Sequence, residues 1–471
     1  MGKVYTLISV HTEDCVNPET DDVPLRLAQI ANRHGCQVVP KVTTEKIRSL
    51  RRHGRQDVIE ALKTQDVGFH MTNHSFPATV PVYTQRMSWD EGVREYERQE
   101  RAGYDEWRAT FERDAPTYAQ GVATPFAFPV LRRWGIPTYT CSSCVSLGGL
   151  PMHYQGIVKQ DWGPPNGFHL GFRVTEPGMA ETLRREFDAI YRRLHRGAGG
   201  LVSVSSHEVE WATHEFWDEN FRQGKLVLPK DFRRARVKTP QEMERGLKAF
   251  DRLVGHIQAL PDSAVISARK LYELYRDRLV GERLSMSEVA ALAEAVAEEI
   301  TFQPVRGQHA SAAEVFGLVV SALARYFRTG RLPKSVRVRF LGGPPRADET
   351  ARRQGPMTPE VFAHVLADVE DALRFYQRIP AEAWRGNEAI ATGDFLATAA
   401  RLLVSVHRNG EAPKTIKLAR GHVTCLDYAP ERAEVSTWPS FPPGFADHNG
   451  VALARLQCWT LKPAVQGTAT A

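Results

Sequence analysis

His70-Met71-Thr72-Asn73-His74 sets two imidazoles four residues apart. On a helix such a pair shares one face, and in a tight loop after a strand it can also pinch a single ion. Surface and capping histidines often produce the same spacing, so the pair needs company to mean anything. The sequence supplies it. An acidic turn, His11-Thr12-Glu13-Asp14, follows the first apolar run, and a lone His207 follows a later one at 200–206. Two neutral imidazoles and a carboxylate leave an open position on Zn2+ or a similar divalent ion, which is what metal-assisted hydrolysis requires.

Other residues with chemical potential have plainer readings. Cys141-Ser142-Ser143-Cys144 has CxxC spacing, but no second CxxC exists to complete four ligands, and the pair reads as a thiol pair in a loop or core. Asp21 and Asp22 open a helix, where its dipole favours acids without any metal. Phe126, Phe128, Trp134, Tyr154 and Trp162 could stack on sugar rings, although most aromatic residues are core. Trp162, beside Gly163-Pro164-Pro165, is the groove candidate among them and is taken as substrate-binding.

The elements that must position these residues follow from the apolar pattern. Strands are expected at 4–10, 37–42, 66–70, 136–141, 167–172, 200–206 and 263–267, with helices at 23–33, 44–53, 56–64, 89–114, 179–195 and 240–258. Strands alternating with helices imply parallel βαβ units, and this number suits one barrel-like α/β domain over residues 1–280. In such barrels the loops at strand C-termini build the site, so HTED, HMTNH and SHEVE should converge. After about residue 280 the texture turns to Ala- and Val-rich helices. Residues 314–340 match 394–420 at an offset of 80, pairing Gly330 with Gly410, Pro333 with Pro413 and Lys334 with Lys414. This defines a helical domain at 281–471 with two repeats, about 284–345 and 356–424. Two copies are too few for a solenoid, so they should pack on each other or on the barrel.

The motifs resemble those of the polysaccharide deacetylase family, the NodB-homology domain of carbohydrate esterase family 4, over roughly residues 4–280. That resemblance implies a distorted (β/α) barrel and a metal-dependent hydrolase that removes N-acetyl or O-acetyl groups from a carbohydrate. VHTEDC stands where the family has its first acidic motif, which makes Asp14 the implied metal ligand and Glu13 or His11 the implied base. His70 and His74 match the family's histidine pair as metal ligands, with Met71 at the small-hydroxyl position and Thr72 one place later. GLVSVSSHEVEW resembles the last motif and makes His207 the implied acid. The stretch TYAQGVATPFAFP carries Ala119 and Gln120 where the family has a base-orienting arginine. The resemblance therefore implies an intact metal triad, most simply for Zn2+, and an altered acid–base apparatus. The alternatives are a catalytically impaired carbohydrate- or cell-wall-binding protein that keeps the metal, or hydrolysis of a non-sugar amide.

The 471 residues are 42% hydrophobic and 25% charged, ordinary globular usage, and six cysteines are too few for a disulfide scaffold. The net charge of +6 is small for this length, and no block of like charges marks a nucleic-acid arm. No run of 18 apolar residues spans a membrane and no signal peptide opens the chain, so the expected location is cytoplasmic, with export left open. The expected partner is an N-acetylated glycan, with the C-terminal domain a binding or homodimerisation module; its Gly-x-x-Pro-x-x-Val texture faintly resembles the pseudomurein-binding repeat.

Overall fold

The computed structural model describes residues 1–120, 124–348 and 355–467. Its first strand, β1 (Val4–Thr12), is buried at every position, which requires neighbours on both edges and layers on both faces. Those neighbours are β2 (Val39–Val42), β3 (Gly68–Phe69), β4 (Thr117–Tyr118), β5 (Thr138–Thr140), β6 (Met152–Tyr154), β7 (Ile157–Gln160), β8 (Gly167–His169), β9 (Gly200–His207) and β10 (Ser263–Ile266). The order across the sheet is β6-β7-β5-β4-β3-β2-β1-β9-β8, with β10 beside the first half of β1. Among the described residues of this sheet, only the β6–β7 hairpin and the strand Lys462–Pro463, laid on β6, are antiparallel. The sheet curls into an open, mostly parallel half-barrel, and helices such as Asp22–Arg33, Trp89–Phe111 and Pro240–Ala259 cover its outside.

The expected strands and helices are all present, some longer than expected, as β1 is, and others shorter. The strand read at 66–70 is only Gly68–Phe69, and the helix read at 89–114 ends at Phe111. Three strands of the sheet, β4, β6 and β7, were not anticipated. β4 is two residues long, too short to show a period. The β6–β7 hairpin turns at Gln155-Gly156, both with positive φ, a turn that glycine at the second position favours. Phe126, Phe128, Trp134 and Tyr154 all enter one buried cluster beneath the Trp89–Phe111 helix, so they are core and not groove.

The repeats pack on each other around a core of their own. Each unit is a helix, a β-hairpin and a second helix: Met286–Glu298, Gln303–Ala310 and Ala312–Thr329, then Pro359–Tyr376, Glu382–Ala391 and Thr392–Asn409. The first helix of one unit lies against the second of the other, in a pseudo-two-fold exchange. The second helices end on Gly330 and Gly410, both left-handed, which explains why the repeat preserves glycine there.

The chain does not end in that module, as a boundary of 281–471 would require. After about residue 425 it returns to the barrel. Leu453, Ala454, Cys458 and Leu461 complete the cluster beneath the Trp89–Phe111 helix. The Lys462 ammonium, buried beside β6, bridges Asp277 (2.7 Å) and both oxygens of Glu314 (2.7 and 2.8 Å). That bridge pins the helical module to the sheet, because breaking it would strand buried charge.

Candidate functional site

Parallel pairing brings partner residues onto the same face, and β1 and β9 pair from Val4↔Gly200 to His11↔His207. The two histidines are therefore neighbours by register, with ring centroids 4.7 Å apart. Glu13 lies two residues beyond His11 and keeps its face, whereas Asp14 takes the opposite one. His70 follows β3 directly, held by its backbone N–H to the Val42 carbonyl. The HTED, HMTNH and SHEVE segments do converge at the C-terminal edge of the sheet.

The HMTNH loop is seated by the Trp89–Phe111 helix. Glu100 accepts from the Thr72 backbone N–H (2.7 Å) and hydroxyl (2.9 Å). One turn on, Gly103 meets Thr72 so closely that an added Cβ would stand 2.0 Å from the hydroxyl oxygen. Met71 turns its side chain into the core at φ 66°, a left-handed conformation costly for a non-glycine residue. Burial raises the Glu100 pKa to about 7, so the carboxyl is neutral in the folded protein at pH values where the unfolded chain has already ionised it. Stability is therefore lost as pH rises from about 4.5 to 7, by up to about 3 kcal/mol. Glu100→Gln should remove that loss: its advantage in unfolding free energy over the natural chain should grow across this window and level off above it. A constant difference from pH 4.5 to 8 would show that the carboxyl does not titrate this way.

At the floor of the cleft, the His70 Nε2 lies 2.7 Å from Glu13 Oε2 and its Nδ1 2.8 Å from the Ala119 carbonyl. Both ring nitrogens thus face acceptors, which calls for an imidazolium or for a cation in place of one proton. The His74 Nδ1 is 3.7 Å from the same Glu13 oxygen and 2.9 Å from the Ser75 hydroxyl. The Nε2 atoms of His11 and His74 are buried with no hydrogen-bond partner. Donor atoms of His11, Glu13 and His70 lie within 4.8 Å of one another. Burial holds the His74 pKa down to about 3 and that of His11 well below its ordinary value, so both rings are neutral and offer lone pairs. Burial alone would raise the Glu13 pKa, but His74 and the His70 hydrogen bond hold it well below the carboxylate range. Orphaned imidazole nitrogens around an ionised carboxylate are a donor set that fits a divalent ion.

Asp14, the ligand implied by the family motif, is not part of that set. Its Oδ1 accepts the Val16 and Asn17 backbone N–H groups (2.8 and 3.0 Å), and its Oδ2 accepts the Asn17 side-chain amide (2.8 Å). Strand alternation is the reason: Glu13, not Asp14, shares the face of His11. Glu208 caps the same turn, accepting from the Asp14 backbone N–H at 2.6 Å.

His207, the implied acid, lies beside the Glu210 carboxylate. Burial would lower its pKa, but the Glu210 carboxylate, 3.3 Å from Nδ1, outweighs this with help from Glu13 and Glu208 and raises it to about 9. Glu210 also accepts from the His207 backbone N–H (2.9 Å) and lies 2.6 Å from His169 Nε2. The sequence carried a signal for Glu210, three residues past His207 in SHEVE. Trp162 is half-buried, stacks on His11 with centroids 4.8 Å apart and lines the cleft. Where an arginine was missing, Ala119 offers only its carbonyl to His70. The Gln120 side chain is taken up by the hydroxyls of Tyr118 (3.0 Å) and Thr124 (2.8 Å).

Two further residues were not foreseen. Trp438, from the returning C-terminal segment, lies 4.8 Å from the His74 ring and donates its indole N–H to Asp218. Burial raises the Asp218 pKa to about 6. No local pattern marks either residue, because their place depends on the whole chain. With them the cleft reaches about 1550 Å3, walled on one side by the loop after His214 and on another by residues 436–441.

No family model matches the sequence, and no curated protein matches it. Solved structures do align with it. Polysaccharide and peptidoglycan deacetylases are among them. A peptidoglycan deacetylase from Bacillus subtilis is 11% identical at a TM-score of 0.29, over 58% of this chain and 91% of that one. A carbohydrate esterase family 4 pseudoenzyme from Bacillus anthracis is 12% identical at 0.26, over 44% and 57%. The 4-alpha-glucanotransferase from Thermococcus litoralis is 10% identical at 0.39, over 70% of this chain and 47% of that one. Likenesses this distant bring neither a substrate nor a residue role with them. Among the described residues, no helix is long and apolar enough to cross a membrane.

Proposed function

We propose that this chain is a metal-dependent hydrolase that removes N-acetyl or O-acetyl groups from a carbohydrate. The observation that carries the reading is the ring of unpartnered imidazole nitrogens about Glu13, set beside a histidine held cationic by Glu210. Glu13, His70 and His74 would hold the ion, Zn2+ being the natural fit to nitrogen-rich donors of this number. When bound, it supplies Lewis acidity toward a carbonyl and acidifies water near neutral pH.

The chain's own residues supply the rest. The free Nε2 of His11 faces the same space and takes the proton of the attacking water. His207 gives its proton to the departing nitrogen, because an amine leaves poorly until it is protonated. Glu210 keeps that ring oriented and charged. The half-buried faces of Trp162 and Trp438 flank the histidines and suit the apolar face of a pyranose ring.

The test is acetate release from N-acetylglucosamine oligomers and from peptidoglycan, with Zn2+ or Co2+ added. Metal-dependent acetate is the expected result. Glycan binding without acetate from any such polymer would overturn the reading in favour of a binding protein.

A further inference from the structure

The loop that walls the cleft between Arg222 and Lys238 carries seven lysines and arginines and one acid, Asp231. Several of these cations are already spent. Arg222 pairs with Glu219, and Arg236 with Glu215 at 2.8 Å. Lys238 is buried on the carbonyls of Phe172 (3.0 Å) and Glu210 (2.7 Å). Of the cleft's acids, Glu215 and Glu219 are spent in the same pairs, Glu13 faces His70, and Asp218 is held by Trp438 and Ser75, which leaves Asp231 as one carboxylate with no ion pair among the described residues. The cations that remain facing the cleft are Lys225 and Arg233, for which no carboxylate partner lies within 4.0 Å among the described residues, and Arg234, whose contact to Glu19 is loose at 3.5 Å.

The backbone under these cations is fixed. The Asn220 amide donates to the Arg233 carbonyl (3.0 Å) and its oxygen accepts the Arg233 N–H (2.7 Å). The Ala235 N–H bonds to the Asn17 side chain (2.9 Å), and Asn17 is the residue that Asp14 holds. A two-step chain therefore runs from the acidic turn beside Glu13 to the backbone between Arg234 and Arg236. Asp14, absent from the donor set, thus anchors through Asn17 the backbone that carries these cations. Free guanidinium groups on a pinned backbone lose less freedom when they grip an anion than cations on a mobile loop would, and arginine forks match carboxylate and phosphate oxygens in pairs.

We propose that the cleft takes an anionic glycan, with Arg233, Arg234 and Lys225 binding carboxylate or phosphate groups next to the acylated sugar. This rests on the deacetylase reading above and names its substrate class. The test compares kcat/KM for acetate release from three probes of matched length. They are a neutral N-acetylglucosamine oligomer, a hyaluronan oligomer in which uronate carboxylates alternate with N-acetylglucosamine, and an N-acetylglucosamine oligomer linked by phosphodiesters. The natural protein should favour one or both acidic probes, and raising salt from 50 to 500 mM should erode that preference. R233Q/R234Q should lower the acidic-over-neutral ratio by at least about tenfold, chiefly through KM. Which acidic probe responds identifies the anion. A preference for the neutral probe, or equal losses on all three, would overturn the proposal and leave the deacetylase reading standing. If no probe releases acetate, the deacetylase reading falls. Salt-sensitive binding of the acidic probes, weakened in R233Q/R234Q, would then still support the anion-binding wall, and its absence would overturn that as well.

Discussion

Glu13→Ala should purify with little bound divalent metal, whereas Asp14→Asn should keep its metal. The two residues are adjacent in an acidic turn, and the family motif points to the second of them. Geometry reverses the order. Glu13 presents its Oε2 to His70 at 2.7 Å and to His74 at 3.7 Å. Asp14 turns away and spends both oxygens on the 16–17 turn. Losing an outer partner of a metal site costs about 10–100-fold in affinity, so removing a carboxylate that faces two imidazoles should cost more than that. Zinc content by elemental analysis reads this directly, and the visible absorption of a Co2+-loaded sample reports the ligand geometry. Asp14→Asn should show its effect elsewhere, as a lowered melting temperature from the weakened turn. A metal-free Asp14→Asn protein beside a metal-replete Glu13→Ala protein would return the ligand role to Asp14.

That reversal shows what local pattern can and cannot carry. The spacing of His70 and His74, the position of His207 after an apolar run and the acidic turn after β1 were all legible, because each is a short-range feature. The half-barrel was legible too, since alternating strands and helices leave few topologies. Which of two adjacent acids faces inward was not legible from the motif, although the strand's period of two contained the answer once His11 was taken as inward-facing. Trp438 and Asp218 were out of reach for a different reason. Trp438 is some 360 residues from His74 along the chain, and it arrives there only because residues 425–463 leave the helical module and rejoin the sheet. The same return made a boundary of 281–471 misleading. By contrast, the repeat was plain in the sequence because the second helix of each unit ends on a left-handed glycine, Gly330 or Gly410, a conformation that glycine adopts at least cost.

His207→Ala should lower N-deacetylation by about 10²–10⁴-fold while sparing an activated acetyl ester such as nitrophenyl acetate far more. The reasoning turns on the leaving group. An amide nitrogen must gain a proton before the tetrahedral intermediate collapses toward products, whereas a nitrophenolate leaves without one. His207 is suited to give that proton, since Glu210 keeps the ring cationic, with a pKa raised to about 9, and the ring sits 4.7 Å from that of His11. A purely architectural His207 predicts something else. Its ring contacts Trp162, His169 and Phe216 as well as His11, so truncation to alanine would loosen the cleft wall and slow both substrates alike. The melting temperature would fall in the same variant. Rates on both substrates together with one thermal scan separate these outcomes. Equal losses on amide and ester with a lowered melting point would remove His207 from the chemistry. A loss confined to the amide at an unchanged melting point leaves proton donation as its role.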